Sequence, residues 1–211
     1  LLEELGSVVI AYSGGVDSTL LTSLAHEVLG NRVLAVTASS PLYPAQGIAQ
    51  AQSLAGDLGL RHILIESGEL EDPLFVANDR QRCYYCKRQL FQRLRQIAAE
   101  EGLNWVVDGT NYDDLSDYRP GRLAATEFGV RSPLVEAGLT KADIRQLALS
   151  RGLPNWDKPA APCFASRLPY GTAITPELLK RVAAAEDYLA GLGLRQLRVR
   201  HHGNIARIEV A

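Results

Sequence analysis

Six consecutive residues constrain this 211-residue chain more than any others: Ser13-Gly14-Gly15-Val16-Asp17-Ser18. They follow a short apolar, β-rich run at 7–11 (SVVIA). They precede residues 18–29, where leucines at 20, 21, 24 and 29 keep a helical spacing. Between a strand and a helix, the two glycines let the backbone turn tightly and come close to an anion. The first N–H groups of the helix and the positive end of its dipole then face that anion. The Ser13 and Ser18 hydroxyls can add donors. Asp17 is the odd member, because a carboxylate repels a phosphate unless a cation lies between them, so its presence points to Mg²⁺. No Gly-Lys-Ser/Thr follows, so this is not a Walker A loop.

The rest of the first half alternates strand and helix. Strands are predicted at 32–37 (RVLAVT), 61–65 (RHILI) and 104–107 (NWVV), with helices at 45–58 and 86–101. Gly59 and Gly102 follow those helices as C-terminal stops. This order predicts right-handed βαβ units and an open parallel sheet covered by helices on both faces. After residue 132 the pattern changes. A helix at 140–150 opens with Thr140 and Asp143, a capping-box-like pair. A long proline-rich loop spans 153–171, and a helix at 175–192 has Thr175 as cap and Pro176 behind it. Antiparallel strands at 196–200 and 206–210 turn near His202-Gly203-Asn204. The fold class is therefore α/β, an open parallel sheet flanked by helices, followed by a smaller α+β C-terminal region; the expected division is 1–132 and 133–211. Residues 1–6 are too short for a signal peptide. With no methionine in the chain, native sequence is expected beyond both ends.

A net charge of −2 gives no basic surplus for a nucleic-acid partner, and no apolar run is long enough for a membrane span. Three cysteines make no disulfide scaffold and fit a reduced, cytoplasmic setting. Cys83-Tyr84-Tyr85-Cys86 opens a helix with Lys87 and Arg88 next to it, where thiol pKa values are expected to fall. Cys163 lies in the proline-pinned loop with Lys158 and Arg167 near in sequence, so it is expected to be a thiolate. Two arrangements suit these thiols. Cys83, Cys86 and Cys163 can hold a [4Fe–4S] cluster at three irons, or Cys163 carries the sulfur while the pair supports it by disulfide exchange. Arg198 and Arg200 share one strand face, suited to a phosphate or carboxylate of the substrate. Glu186, on the preceding helix, is placed to hold a metal or orient an arginine, and Arg119 to clamp substrate. Ligands of open α/β sheets sit at the carboxyl ends of strands, which puts Thr37, Gly109 and Thr110 beside the nucleotide.

The Ser13–Ser18 string resembles the pyrophosphate loop of the ATP pyrophosphatase (PP-loop, Rossmann-like) superfamily. Members attack the α-phosphate of ATP with a substrate oxygen and release pyrophosphate. Further strings are Ser-Pro-Leu-Tyr-Pro at 40–44, Arg82-Cys-Tyr-Tyr-Cys-Lys87, Asp108-Gly-Thr-Asn111, Asp117-Tyr-Arg-Pro-Gly121, Gly129-Val-Arg-Ser-Pro-Leu134, Trp156-Asp-Lys-Pro159 and Ala161-Pro-Cys-Phe-Ala-Ser-Arg167. Together they resemble the LarE family of ATP-dependent sulfur transferases, from about Tyr12 to the last residue. The resemblance implies ATP and Mg²⁺ as cofactors. It also implies a pyridinium-3,5-dicarboxylate mononucleotide as substrate, adenylated on a carboxylate and converted to a thiocarboxylate for the nickel-pincer cofactor of lactate racemase. In one variant of the family a lone cysteine at the Cys163 position gives up its own sulfur. In the other, three cysteines bind an iron–sulfur cluster that passes on sulfide from inorganic sulfide or another donor, and the Cys83–Cys86 pair matches that variant. A homo-hexamer is implied as well. The competing readings are a tRNA thiolation enzyme, disfavoured by the charge, and an ammonia-using synthetase of the NAD or GMP type, which has no need of the cysteines.

Overall fold

The computed structural model describes residues 1–117, 119–194 and 196–210. Tyr118 of the Asp117–Gly121 string, Arg195 and the terminal Ala211 lie outside them. The strands are β1 (Val8–Ala11), β2 (Val33–Ser39), β3 (His62–Glu66), β4 (Trp105–Asp108), β5 (Leu197–His202) and β6 (Ile205–Val210). The helices are α1 (Leu2–Leu5), α2 (Val16–Leu29), α3 (Ala45–Asp57), α4 (Pro73–Val76), α5 (Arg82–Glu100), α6 (Gly121–Glu127), α7 (Pro133–Glu136), α8 (Lys141–Ser150) and α9 (Pro176–Gly191).

The first four strands form a parallel sheet in the order β3-β2-β1-β4, the architecture read from the sequence. Burial on both faces explains why these strands are nearly continuous apolar runs. Alternation along each strand builds two cores. Val8, Ile10, Val33 and Val107 face α2 and α8 through Leu20, Leu21, Ile144 and Ala148. Val9, Leu34, Val36 and Val106 face α5 and α6 through Phe91, Leu94, Ile97 and Ala124. The short elements α1, α4, α6 and α7 gave no periodic signal, being only 4 to 7 residues long.

β5 and β6 make a separate antiparallel hairpin turning on Gly203-Asn204. The Thr140–Asp143 capping box forms with both reciprocal bonds, and Thr175 caps α9 with Pro176 in its first turn. Residues 153–171 are irregular apart from one 3₁₀ turn at Phe164–Arg167. They are anchored by a third core of Leu42, Phe75, Phe164, Leu168, Ile174, Leu179 and Val182. Leu42 follows β2 and Phe75 follows β3, so this core sits beyond the carboxyl ends of the strands, where a ligand of such a sheet binds.

Candidate functional site

The loop after β1 folds as its glycines require. Gly14 has φ +66°, and a Cβ there would lie 2.7 Å from the Cβ of Ala51 on α3. Gly15 precedes α2 as its N-terminal cap residue. Ser18 Oγ binds back into the loop, donating to the Gly15 carbonyl (3.2 Å) and accepting from Ser13 N–H (3.2 Å), while Gly15 N–H donates to Ser13 Oγ (3.3 Å). The two hydroxyls sit 3.2 Å apart.

Asp17 is not alone at the mouth of this loop. Its Oδ1 accepts from Asn111 Nδ2 (3.1 Å) and its Oδ2 pairs with the ammonium of Lys141, the first residue of α8. Lys141 gave no signal in the sequence, since 124 positions separate it from Asp17. Thr37 and Gly109 border the loop, and the Thr37 bonds serve the scaffold. Thr37 Oγ1 donates to the Tyr12 carbonyl (2.9 Å) and lies 2.8 Å from His62 Nε2. With that hydroxyl proton used, Nε2–H must be the donor to Thr37, which fixes the His62 tautomer. Burial pushes the His62 pKa down. At Gly109 a Cβ would approach Ser18 N to 2.9 Å. Thr110 donates twice to Asp108, from N (3.2 Å) and Oγ1 (2.8 Å), and Ser132 Oγ donates to it at 2.7 Å. Asp108 thus accepts three hydrogen bonds and Asp17 two.

A second anchorage comes from the start of the proline-rich segment. Asn155 Nδ2 donates to the Gly14 carbonyl (3.1 Å) and to Thr19 Oγ1 (3.0 Å), and Lys158 Nζ reaches the same carbonyl (3.3 Å). Burial lowers the Lys158 pKa. Among the described residues Asn155 Oδ1 and the Tyr12 hydroxyl are buried without hydrogen-bond partners. An open pocket of about 410 Å³, lined by Gln50, Leu54, Asp57, Asn155 and Lys158 among others, runs along this flank of the loop.

The cysteines lie on the other side of the same loop segment. Cys83 and Cys86 are one turn apart in α5, the first exposed and the second half-buried. Cys163 precedes the 3₁₀ turn and, with Cys86, Tyr43 and Tyr85, packs against the third core. The expected depression of the thiol pKa values is not what this environment produces. Burial pushes the Cys86 thiol up to about 12, helped by the nearby buried carboxylate of Glu69, and Lys87 offsets only part of this. Cys163 is also raised, chiefly by burial, with Arg82 pulling in the opposite direction. Its two sequence neighbours are engaged elsewhere: Lys158 on Gly14, and Arg167 on Glu186. Desolvation of the charged form outweighs the cations.

Arg167 is a junction. It is buried, makes two bonds to Glu186 (Nε–Oε1 2.9 Å, Nη2–Oε2 3.1 Å), and donates from Nη1 to the Cys163 carbonyl (3.1 Å) and to Ser166 Oγ (3.0 Å). Glu186 Oε1 also accepts Val199 N–H (2.9 Å). Of the two roles read for Glu186, the structure displays the orienting one. Arg200 donates to the Ser166 carbonyl (3.0 Å) and pairs with Glu209 (2.8 Å), so it too holds the Cys163 segment. Arg198 shares its strand face and has no ion pair among the described residues. Arg119 is half-exposed and pairs with Asp114 (2.7 Å) and Asp117 (3.2 Å).

Among the described residues no three His, Cys, Asp or Glu side chains converge on a single-ion metal site. No helix there is long and apolar enough to cross a membrane.

The NAD synthase family profile matches residues 3–111. With the parallel sheet and the anion-facing loop, this defines a PP-loop nucleotide enzyme. A pyridinium-3,5-bisthiocarboxylic acid mononucleotide synthase of Lactiplantibacillus plantarum is 43 % identical over 99 % of this chain and 76 % of its own length. An uncharacterized protein of Synechocystis sp. is 49 % identical over 98 % of this chain and 77 % of its own. A glutamine-hydrolyzing GMP synthase of Aeropyrum pernix is 29 % identical, with 40 % of its length covered. The chain belongs to the LarE family, that of the pyridinium-3,5-bisthiocarboxylic acid mononucleotide synthases, as its motifs implied.

Proposed function

We propose that the protein is an ATP-dependent sulfur transferase that converts a carboxylate of a pyridinium-3,5-dicarboxylate mononucleotide to a thiocarboxylate, in the assembly of the nickel-pincer cofactor of lactate racemase. The observation that carries this reading is the pairing of an anion-facing loop with a cysteine held beyond the same sheet edge, in a chain 43 % identical to a bisthiocarboxylate synthase. The Ser13–Ser18 loop and the start of α2 hold the phosphates of ATP. One carboxylate plus phosphate oxygens and water suits Mg²⁺, and Asp17 is the carboxylate that fits, while Lys141 holds it in place. A substrate carboxylate oxygen attacks the α-phosphorus, pyrophosphate leaves, and an acyl adenylate results. Arg198 is the open guanidinium for the substrate phosphate or second carboxylate, Arg119 a further clamp. The division of labour is 1–132 for the nucleotide and 133–211 for substrate and sulfur.

Sulfur then attacks the acyl carbon: a C–S bond forms, the C–O bond to phosphate breaks, and AMP leaves with the electron pair. Three thiols on two facing segments fit a [4Fe–4S] cluster held by Cys83, Cys86 and Cys163. The lack of a single-ion site does not oppose this, because a cluster spreads its ligands over separate irons. When bound, it supplies sulfide at the iron that no cysteine holds. Such a cluster, and three free thiols, suit a cytoplasmic setting. Cys163 acting as a sacrificial donor is the second reading, favoured by its place as an unpaired thiol beside the third core, beyond the carboxyl ends of the strands. In it, Cys163 Sγ attacks, the Cα proton is removed, and the Cβ–Sγ bond breaks to leave thiocarboxylate and dehydroalanine.

The test is pyrophosphate release with ATP and the dicarboxylate mononucleotide, against tRNA and against ammonia as acceptors. Release dependent on tRNA or ammonia overturns the assignment. Iron and acid-labile sulfide in anaerobically purified protein support the cluster. Loss of the mass of one H₂S at Cys163 after turnover selects the sacrificial route. Sedimentation of the same sample tests the homo-hexamer.

A further inference from the structure

Asn78 and Arg82 have no part in the chemistry above. Asn78 is fully buried and is the one non-glycine with a left-handed backbone, φ +54°, among the described residues. Asparagine takes this conformation more readily than most other side chains, and here every polar atom of its side chain is bonded. Its Nδ2 donates to the carbonyls of Pro169 and Thr172, both at 2.8 Å. Its own carbonyl accepts Gly171 N–H at 2.9 Å. Its Oδ1 accepts from Arg82 Nη1 at 2.6 Å, and the same Nη1 donates to the Ala165 carbonyl at 3.0 Å. Arg82 is 8 % exposed and its guanidinium lies 4.8 Å from the Tyr170 ring centroid. Among the described residues it has no carboxylate partner, and its Nε–H is buried without an acceptor. A chain that needed only packing here could use an apolar side chain at lower cost.

The placement of these bonds is what gives them meaning. Arg82 is the residue before Cys83. Ala165 is two residues past Cys163, and Pro169 to Thr172 continue that segment. The bonds therefore join the two stretches that carry all three thiols, 83 residues apart along the chain. None of them touches the Ser13–Ser18 loop.

We propose that the Asn78–Arg82 pin is a positioning element for sulfur transfer, holding the Cys163 segment against the Cys83–Cys86 end of α5 so that sulfur reaches the acyl adenylate before water does. This rests on the function proposed above. Attack by sulfur gives thiocarboxylate and AMP; attack by water gives back the carboxylate and AMP. A loosened pin leaves pyrophosphate release intact and shifts this partition toward water.

The variants are Asn78→Gly, which keeps the left-handed backbone free of strain but removes the side-chain bonds, with Arg82→Met and Arg82→Lys. With ATP and the dicarboxylate mononucleotide, pyrophosphate release is expected to stay within about twofold of the parent. The ratio of AMP to thiocarboxylate is expected to rise by about tenfold in Asn78→Gly and Arg82→Met, the effect of a small misplacement of reacting groups. Arg82→Lys, which keeps the charge and N–H donors without the planar guanidinium fork, should fall between. An unchanged ratio overturns the proposal, whether or not overall activity declines. A readout independent of substrate is alkylation of Cys163 in native, chelator-treated protein: faster labelling in Asn78→Gly is expected, and parent-like labelling overturns the pin. Failure of the functional reading shows separately, as a parent enzyme that releases no pyrophosphate with this acceptor.

Discussion

The phosphate loop and the Cys163 segment are both irregular, glycine- or proline-marked stretches beside one sheet, yet they are held differently. Ser13 to Ser18 close on themselves through bonds spanning at most five residues. The Cys163 segment has local bonds too, through its 3₁₀ turn and through Arg167 Nη1 to the Cys163 carbonyl and Ser166 Oγ. It is fixed from afar by Asn78 and Arg82, by Leu42, whose carbonyl accepts Phe164 N–H, and by Arg200. The phosphate loop also has ties from outside, Asn155 and Lys158 on the Gly14 carbonyl and Asn111 and Lys141 on Asp17, but the hydroxyl bonds that close its turn are its own.

The sharpest break in this comparison is Cys163→Ala. Thiocarboxylate formation is expected to fall at least about a thousandfold while pyrophosphate release continues; equal loss of both would merge the two regions into one. Next, Asp17→Asn is expected to cut pyrophosphate release by roughly 10²–10³-fold, because the charge facing the metal and phosphates is gone, with circular dichroism and acceptor binding unchanged. Glu186→Gln tests the long-range anchorage. Leaving Arg167 buried without its carboxylate is expected to cost about 3 kcal/mol, seen as a lower Tm and faster Cys163 alkylation with ATP binding retained. Arg198→Ala should weaken acceptor binding by about 10–100-fold, the worth of a charge-assisted bond of roughly 1.5–3 kcal/mol, and leave the KM for ATP alone. The smallest effect is in the parent protein: thiol labelling near pH 8 should reach exposed Cys83 first. Cys86 lags because a thiol pushed up to about 12 holds little thiolate there, and its rate keeps rising with pH.

The same contrast explains what could be read from the residues. Strands, the Gly14–Gly15 turn, and the Thr140 and Thr175 caps are set by neighbours within four positions, so the sequence displays them. The thiol pKa values were misjudged for a physical reason. Lys87, Lys158 and Arg167 are visible as charges near the cysteines in sequence, whereas burial, and the engagement of Lys158 with Gly14 and of Arg167 with Glu186, exist only after folding. Lys141 on Asp17 and the Asn78–Arg82 pin were invisible for the same cause, each joining positions about 80 to 124 apart. Glu186 lay between these extremes, since its helix and the arginines after it were evident but its partner, Arg167, was not.

Gly14 against Ala51 and Gly109 against Ser18 leave no space for even one added carbon. The consequence is kinetic. A loop wedged on both sides has no hinge, so nucleotide arrives at a seat that is already formed and waits on no closure.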